Sequence, residues 1–256
     1  MFSALVRKPG SSFVRAISQH PEKKNIDLEL ARDQHQLYVA TLELAGAEII
    51  YLPELDDCPD AVFVEDTAII VEGKAFICSM GAQRRKEERS SVLLALEKIF
   101  PTEIIDASIS IDGGDILQTE DFFFIGLSKR TNTYAVDFFR KRTKKKVIPV
   151  TVPHCLHLKT AVSIIGRNTL IIDPKKISHK VFQGFNLLTT TPAESYAANA
   201  LAIGDSVIMA EGFPKLTHSI KNLGLRVLQT PMSEFEKADG GITCLSLKIS
   251  EQKKRF

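Results

Sequence analysis

The sequence contains no apolar run near the roughly 20 residues that span a bilayer, so no membrane-spanning helix is expected. Its N-terminus, MFSALVRKPGSSF, lacks the apolar core and small-residue cleavage site of a secretory leader, so none is expected. Net charge is also scarce. Lys and Arg number 33 against 31 Asp and Glu, and the balance of +2 is too near zero to indicate a polyanionic partner. The basic run RKRTKKK (Arg140 to Lys146) has no interleaved aromatics, and both it and the terminal QKKRF read as solvated surface rather than a nucleic-acid site. The four cysteines (Cys58, Cys78, Cys155 and Cys244) form no CxxC pair and are too sparse for a disulfide scaffold. Reduced thiols and a cytoplasmic location are expected, and any one thiol could be inert, metal-binding or catalytic. No Gly/Ser-rich or Pro-rich linker interrupts the chain, so residues 1–256 read as one domain.

What the sequence does contain is a structural period. Hydrophobic residues make up 44% and charged residues 25% of the 256, enough for a full core. AVFVEDTAIIVEGKAFICSM reads as two β-rich runs around Gly73. An amphipathic helix, QRRKEERSSVLLALEKIF, follows, with Val92, Leu93, Leu96 and Ile99 on one face, and then a strand, TEIID. The same order returns in ISIDGGDILQ, FFFIGLS, NTYAVDFFRKRTK and KVIPVTV. It returns in CLHLKTAVSIIG, NTLIID, SHKVFQG and NLLTTT, and again in SYAANALAIG, SVIMAEG, PKLTHSIKNLG and LRVLQTP. The fifth unit is split: GITCLSLKI lies near the C-terminus, and SALVRK, DLELARDQHQLYVATLELAG and AEIIYLP lie near the N-terminus. Asp27 suits the N-cap and Gly46 the C′ position of that last helix. Five units of about 40–47 residues predict a five-bladed, pseudo-symmetric α/β propeller of ββαβ units. Splitting one unit across both ends would close the ring without an open sheet edge.

The repeat aligns residues that are distant in sequence. Glu65 and Asp66 fall in the first strand region of one unit, Asp112 in the next, then His157, Asn199 and Cys244 in theirs. In a ring they converge on the axis. A thiol, an imidazole and carboxylates meeting there would suit nucleophilic catalysis, in which a base forms or pairs with the thiolate and an acid orients the base. Each residue alone has a bland alternative: a buried cysteine, a satisfied strand histidine, an acid in a turn. In HCLH, His154 and His157 stand three apart, on opposite faces of a strand, so no shared ion is expected.

In order, PDAVFVEDTAII, DGGDIL, FFFIGLSKRTN, CLHLKT, SYAAN and DGGITCLSL closely resemble the dimethylarginine dimethylaminohydrolases, over nearly the whole chain. This family belongs to a guanidine-modifying superfamily of five-bladed α/β propellers that includes arginine deiminases and amidinotransferases. The resemblance implies Cys244 as nucleophile, His157 as general acid/base and Asp112 as its orienting carboxylate. It implies that Asp66, supported by Glu65, binds the guanidinium. Asp60, Arg85 and Arg130 would hold the substrate's amino and carboxylate groups, with Phe63 as a wall. The lid of relatives corresponds to Ser12 to Ser18, where the match is poor. The implied reaction hydrolyses Nω-methylated arginines to citrulline and methylamines through a covalent thiouronium. It needs no metal or organic cofactor, and the methylarginine is the implied partner, with a homodimer possible.

Arginine deiminases share the triad, so substrate choice rests on neighbours. Deiminases carry His-x-Asp where this chain has His157-Leu158-Lys159. That second carboxylate would be left unpaired by a methylated nitrogen. Lys159 removes the penalty and is expected to pair with Glu65. The alternatives are an arginine deiminase-like hydrolase and a non-catalytic, ribosome-associated propeller. A thiolate, an imidazole and a carboxylate together would also suit adventitious zinc. The glycines before Cys244 are expected to let the backbone approach the substrate.

Overall fold

The computed structural model describes residues 2–166 and 168–250. The terminal QKKRF run lies outside the described residues. Five three-stranded sheets share one topology, an antiparallel hairpin followed by a parallel crossover. The split blade pairs Phe2–Val6 antiparallel with Ser246–Ser250 and parallel with Ala47–Tyr51. The second blade comprises Ala68–Val71, Lys74–Ile77 and Thr102–Ile104. The third has Ile116–Gln118, Phe122–Leu127 and Lys146–Thr151. The fourth has Val162–Gly166, Thr169–Ile172 and Asn186–Thr189. The fifth has Leu201–Ile203, Ser206–Ala210 and Arg226–Thr230. The five sheets are arranged as a pseudo-fivefold propeller, and the split blade joins the two ends of the chain.

The longest helix, Leu28–Leu44, follows from its sequence. Asp27 accepts from Glu29 N at 3.0 Å and Leu30 N at 3.1 Å, capping the first turn. Ala31, Tyr38 and Leu42 are fully buried on one face. Gly46 takes φ +92° at the C′ position, where an L-residue would be strained. Within and between blades, aromatic side chains fill the core. Phe123 stacks on Phe139 at 4.8 Å, and Phe124 meets Phe182 at 5.0 Å. Burying each such ring contributes on the order of 2–3 kcal/mol.

The structure corrects several expected elements. Gln83–Glu88 is a 3-10 turn, and the α-helix runs only over Arg89–Leu96. Val92 and Leu96 are its buried residues, whereas Ile99 is 45% exposed beyond its end. The helix expected across NTYAVDFFRKRTK covers Tyr134–Arg140, and SHKVFQG holds a 3-10 turn. A short helix, Ser233–Lys237, was not anticipated.

The most consequential difference lies at the axis. The innermost strands were expected to run through the aligned polar residues. Instead a 3-10 turn precedes each strand: Val64–Thr67, Gly113–Asp115, Leu158–Thr160, Pro192–Ala198 and Thr243–Leu245. The HCLH segment is therefore loop rather than strand, with His154 exposed and His157 buried. The cause is competition for backbone donors. Gly114 N donates to Asp66 Oδ1 at 3.0 Å, Leu158 N to Asp115 Oδ1 at 2.9 Å and Thr243 N to Asn199 Oδ1 at 2.9 Å. Side chains from adjacent turns take the donors that a longer strand would have placed in its ladder.

Packing between the turns leaves no space at Gly113, where a Cβ would lie 2.1 Å from Glu65 O. Gly46 has nothing within 4 Å of that position, only an unfavourable φ. Gly113→Ala should therefore lose more than about 3 kcal/mol in urea unfolding, against about 1–2 kcal/mol for Gly46→Ala. Equal losses would show that the turns are not packed backbone to backbone.

Candidate active site

A cavity of about 910 Å³ opens on the axis, lined by Cys244, His157, Asn199, Arg130, Tyr196, Gly240, Gly241 and the segment Ile17 to His20, among others. Asp60, Phe63, Glu65, Asp66, Arg85 and Asp112 form the buried layer behind this surface. The aligned positions thus do converge, but in two shells.

His157 sits just before the turn Leu158–Thr160, with its ring between two carboxylates. Nε2 lies 3.1 Å from Asp112 Oδ2, and Nδ1 lies 3.8 Å from Asp66 Oδ1. Burial alone would depress the imidazole pKa. The carboxylates of Asp66, Asp112 and Asp115 outweigh it and raise the pKa to about 9. His157 is therefore an imidazolium at neutral pH. Asp66 is buried too, which opposes ionisation, but His157, Arg85 and the Gly114 N–H bring it down to about 2.

Cys244 lies in the turn Thr243–Leu245 and is half-buried; the strand begins only at Ser246. Gly241 N donates to its sulfur at 3.4 Å. Burial, then the charges of Glu65 and Asp66, push the thiol up to about 12. The site therefore pairs a neutral thiol with an imidazolium. The glycines here serve packing: a Cβ on Gly240 would lie 2.3 Å from the Phe63 ring, and one on Gly241 2.6 Å from Asn199 Cγ. The Cβ directions are thus filled by protein, while both glycines also line the cavity.

Glu65 and its neighbours form a circuit across the axis. Lys159 Nζ donates to Glu65 Oε1 at 2.5 Å, as expected from sequence, and Thr243 Oγ1 donates to Oε2 at 2.6 Å. Asn199 Nδ2 donates to Thr243 Oγ1 at 3.1 Å and to Lys159 O at 2.9 Å. Burial raises the Glu65 pKa, opposed by Lys159 and Thr243.

The residues expected to bind the substrate's amino and carboxylate groups fall differently. Arg130 reaches the cavity, with Nη1 3.6 Å from Asp112 Oδ2. Arg85 is 4% exposed, pairs with Asp66 at 2.6 Å and Glu88 at 2.8 Å, and donates to Phe63 O at 3.0 Å. It therefore anchors the wall in this arrangement. Asp60 accepts from Ile17 N at 3.1 Å, tying down the expected lid region. Ser18 Oγ donates to Lys237 O at 2.8 Å and Gln19 N to Asp239 Oδ2 at 2.7 Å, while Phe13 packs against Phe63 and Phe235. Of possible metal donors, Asp66, Asp112 and His157 come within 4.8 Å of one another; Cys244 is not in that group.

Sequence reasoning missed Glu88, Thr243 and Asp115. Glu88 stands three residues from Arg85, a spacing that brings side chains together on a helical turn. Thr243 directly precedes the cysteine. Asp115 is the second acid of DGGD, and is 0% exposed with three donors around its carboxylate.

A family model described as N,N dimethylarginine dimethylhydrolase, eukaryotic, matches residues 11–249. N(G),N(G)-dimethylarginine dimethylaminohydrolase of Pseudomonas aeruginosa is 33% identical over 256 residues, covering 97% of this chain and 100% of the relative. The enzyme of the same name from Streptomyces coelicolor is 32% identical, covering 97% of each. A crystal structure of the Pseudomonas aeruginosa protein, as a cysteine-to-serine mutant complexed with citrulline, superposes with a TM-score of 0.93 at 32% identity, covering 97% of this chain and 100% of that one. The chain belongs to the dimethylarginine dimethylaminohydrolase family.

Proposed function

We propose that this protein hydrolyses Nω-methylated arginines to citrulline and di- or monomethylamine. In this reading Cys244 is the nucleophile, His157 the general acid/base and Asp112 the acid that orients it. The observation that carries the reading is the cavity in which Cys244 faces the same space as a His157 imidazolium held between Asp112 and Asp66. The citrulline complex of the Pseudomonas aeruginosa relative supports the product.

Charge sets the order of events. A thiol near 12 is ionised to about one part in 10⁵ at pH 7. A bound guanidinium would offset the negative field of Glu65 and Asp66, the charges that hold the thiol protonated. The thiol proton passes to solvent at the cavity mouth, since His157 is already protonated, and the thiolate attacks the guanidinium carbon. The bond to the methylated nitrogen breaks, and that nitrogen takes the proton of the His157 imidazolium, leaving as the amine. Neutral His157 next accepts a proton from water attacking the thiouronium carbon. The carbon–sulfur bond breaks, the remaining hydroxyl proton passes to the departing sulfur, citrulline leaves and the neutral thiol is restored. Arg130, at the cavity edge, suits the substrate carboxylate through its guanidinium fork. Asp60 suits the amino group, and Phe63 the apolar wall. Arg85 would reach a substrate carboxylate only by leaving Asp66 and Glu88.

Lys159 favours methylated substrates over arginine. Its ammonium occupies Glu65, so no free carboxylate remains there to reward a second unmethylated nitrogen. In steady-state kinetics, kcat/KM for asymmetric dimethylarginine and monomethylarginine should exceed that for arginine by at least about tenfold. Faster turnover of arginine would support the deiminase reading instead. Cys244→Ser should lower citrulline release by more than about 10³-fold, and full activity in that variant would refute the mechanism. Alkylation by iodoacetamide in the empty enzyme, located on Cys244 by peptide mass spectrometry, should still accelerate above pH 9. A plateau near pH 7 would show a preformed thiolate.

A further inference from the structure

The mechanism above leaves one fully buried acid without a role. Asp115 is 0% exposed, and its carboxylate faces only donors. Oδ1 accepts from Leu158 N at 2.9 Å; Oδ2 accepts from Ser128 Oγ and Thr131 Oγ1, both at 2.6 Å. Burial raises the Asp115 pKa above the ordinary carboxylate value, while His157, Ser128, Thr131 and the Leu158 N–H oppose that and favour the anion. The third blade also leaves space for it, since a Cβ on Gly126 would lie 2.5 Å from Oδ1.

Each donor reaches a different part of the site in one step. Leu158 directly follows His157. Thr131 Oγ1 commits its hydrogen to Asp115 and accepts from Asp112 N at 3.2 Å. Ser128 Oγ likewise donates to Asp115 and accepts from Arg130 N at 2.9 Å. One carboxylate thereby orients two hydroxyls; one holds the backbone of Asp112, behind the cavity surface, and the other that of Arg130, at it.

Resting on the proposed function, we propose that Asp115 is a positioning residue that sets the mutual placement of His157, Asp112 and Arg130 through Leu158 N, Thr131 and Ser128. The two hydroxyl arms act on different stages of the reaction. The Thr131 arm fixes the Asp112–His157 pair and so bears on proton transfer. The Ser128 arm fixes Arg130 and so bears on substrate capture. Asp115 also adds a negative charge near an imidazole that Asp66 and Asp112 already face. Arg85 stands behind Asp66, Arg130 beside Asp112, the Cys155 thiol on His157 O, and Lys159 is held by Glu65.

The test uses the full chain and its variants. In Thr131→Val, kcat for asymmetric dimethylarginine should fall about tenfold or more with KM within about threefold, and Thr131→Ser should recover to within about threefold of wild type. In Ser128→Ala, KM should rise about tenfold with kcat within about threefold. In Asp115→Asn, kcat should fall about 100-fold, and the His157 imidazole, titrated by nitrogen NMR without substrate, should shift down by about one pH unit or more. An unshifted His157 in Asp115→Asn would overturn the proposal. So would wild-type kinetics in both hydroxyl variants. If Asp115→Asn does not fold, the Thr131 and Ser128 variants decide. Failure of the wild type to release citrulline would sink the functional reading, while the His157 titration would still decide the positioning role.

Discussion

The site depends on how five chain segments are held against one another at the axis. Glu65, Lys159, Thr243 and Asn199 come from the turns of four blades and close a hydrogen-bonded circuit. Asp112 supplies the remaining blade through His157. A buried ion pair such as Lys159–Glu65 adds little net stability, because desolvation offsets its attraction, but losing one partner costs about 3–5 kcal/mol. Its value is geometric. Once Glu65 has two donors, one from Lys159 and one from Thr243, the turn bearing Cys244 has a defined position relative to the turn that follows His157.

Around that circuit the charges are layered. The cavity presents a thiol, an imidazole, a guanidinium and an amide, while most carboxylates sit one layer back. Those acids keep His157 protonated against its burial, and burial first, with Glu65 and Asp66 behind it, keeps Cys244 neutral. A cation entering the cavity meets Glu236 and Asp239 at its surface and the field of the buried acids behind it. Arg85 and Glu88 stabilise the same layer from behind.

Much of the fold was legible because it is local. The β-rich runs and the capped helix after Asp27 carry their own periodicity and caps. The split blade followed from matching the two ends to the repeat. Cys244, His157, Asp112 and Asp66 could be aligned because each sits just before a strand at a comparable point in its unit. The turns themselves were not legible. Val64, Thr67 and Leu245 favour strand locally, and nothing nearby reveals that Asp66, Asp115 or Asn199 will take backbone donors from another blade. The resemblance implied a substrate-binding role for Arg85; its pairing with Asp66 and with Glu88, the latter visible only as an i,i+3 spacing, appears only in the structure.

By itself the sequence determined the repeat, the blade split between the two ends of the chain and the identities of the groups that converge, since those depend on periodicity and residue type. Only the tertiary structure decided which groups face the cavity and which support it, the protonation of Cys244 and His157, and the hub formed by Asp115. Those outcomes depend on burial and on distances between residues that are far apart in the chain. A carboxylate's effect on a thiol or an imidazole falls off over a few ångströms, and no linear spacing encodes that separation.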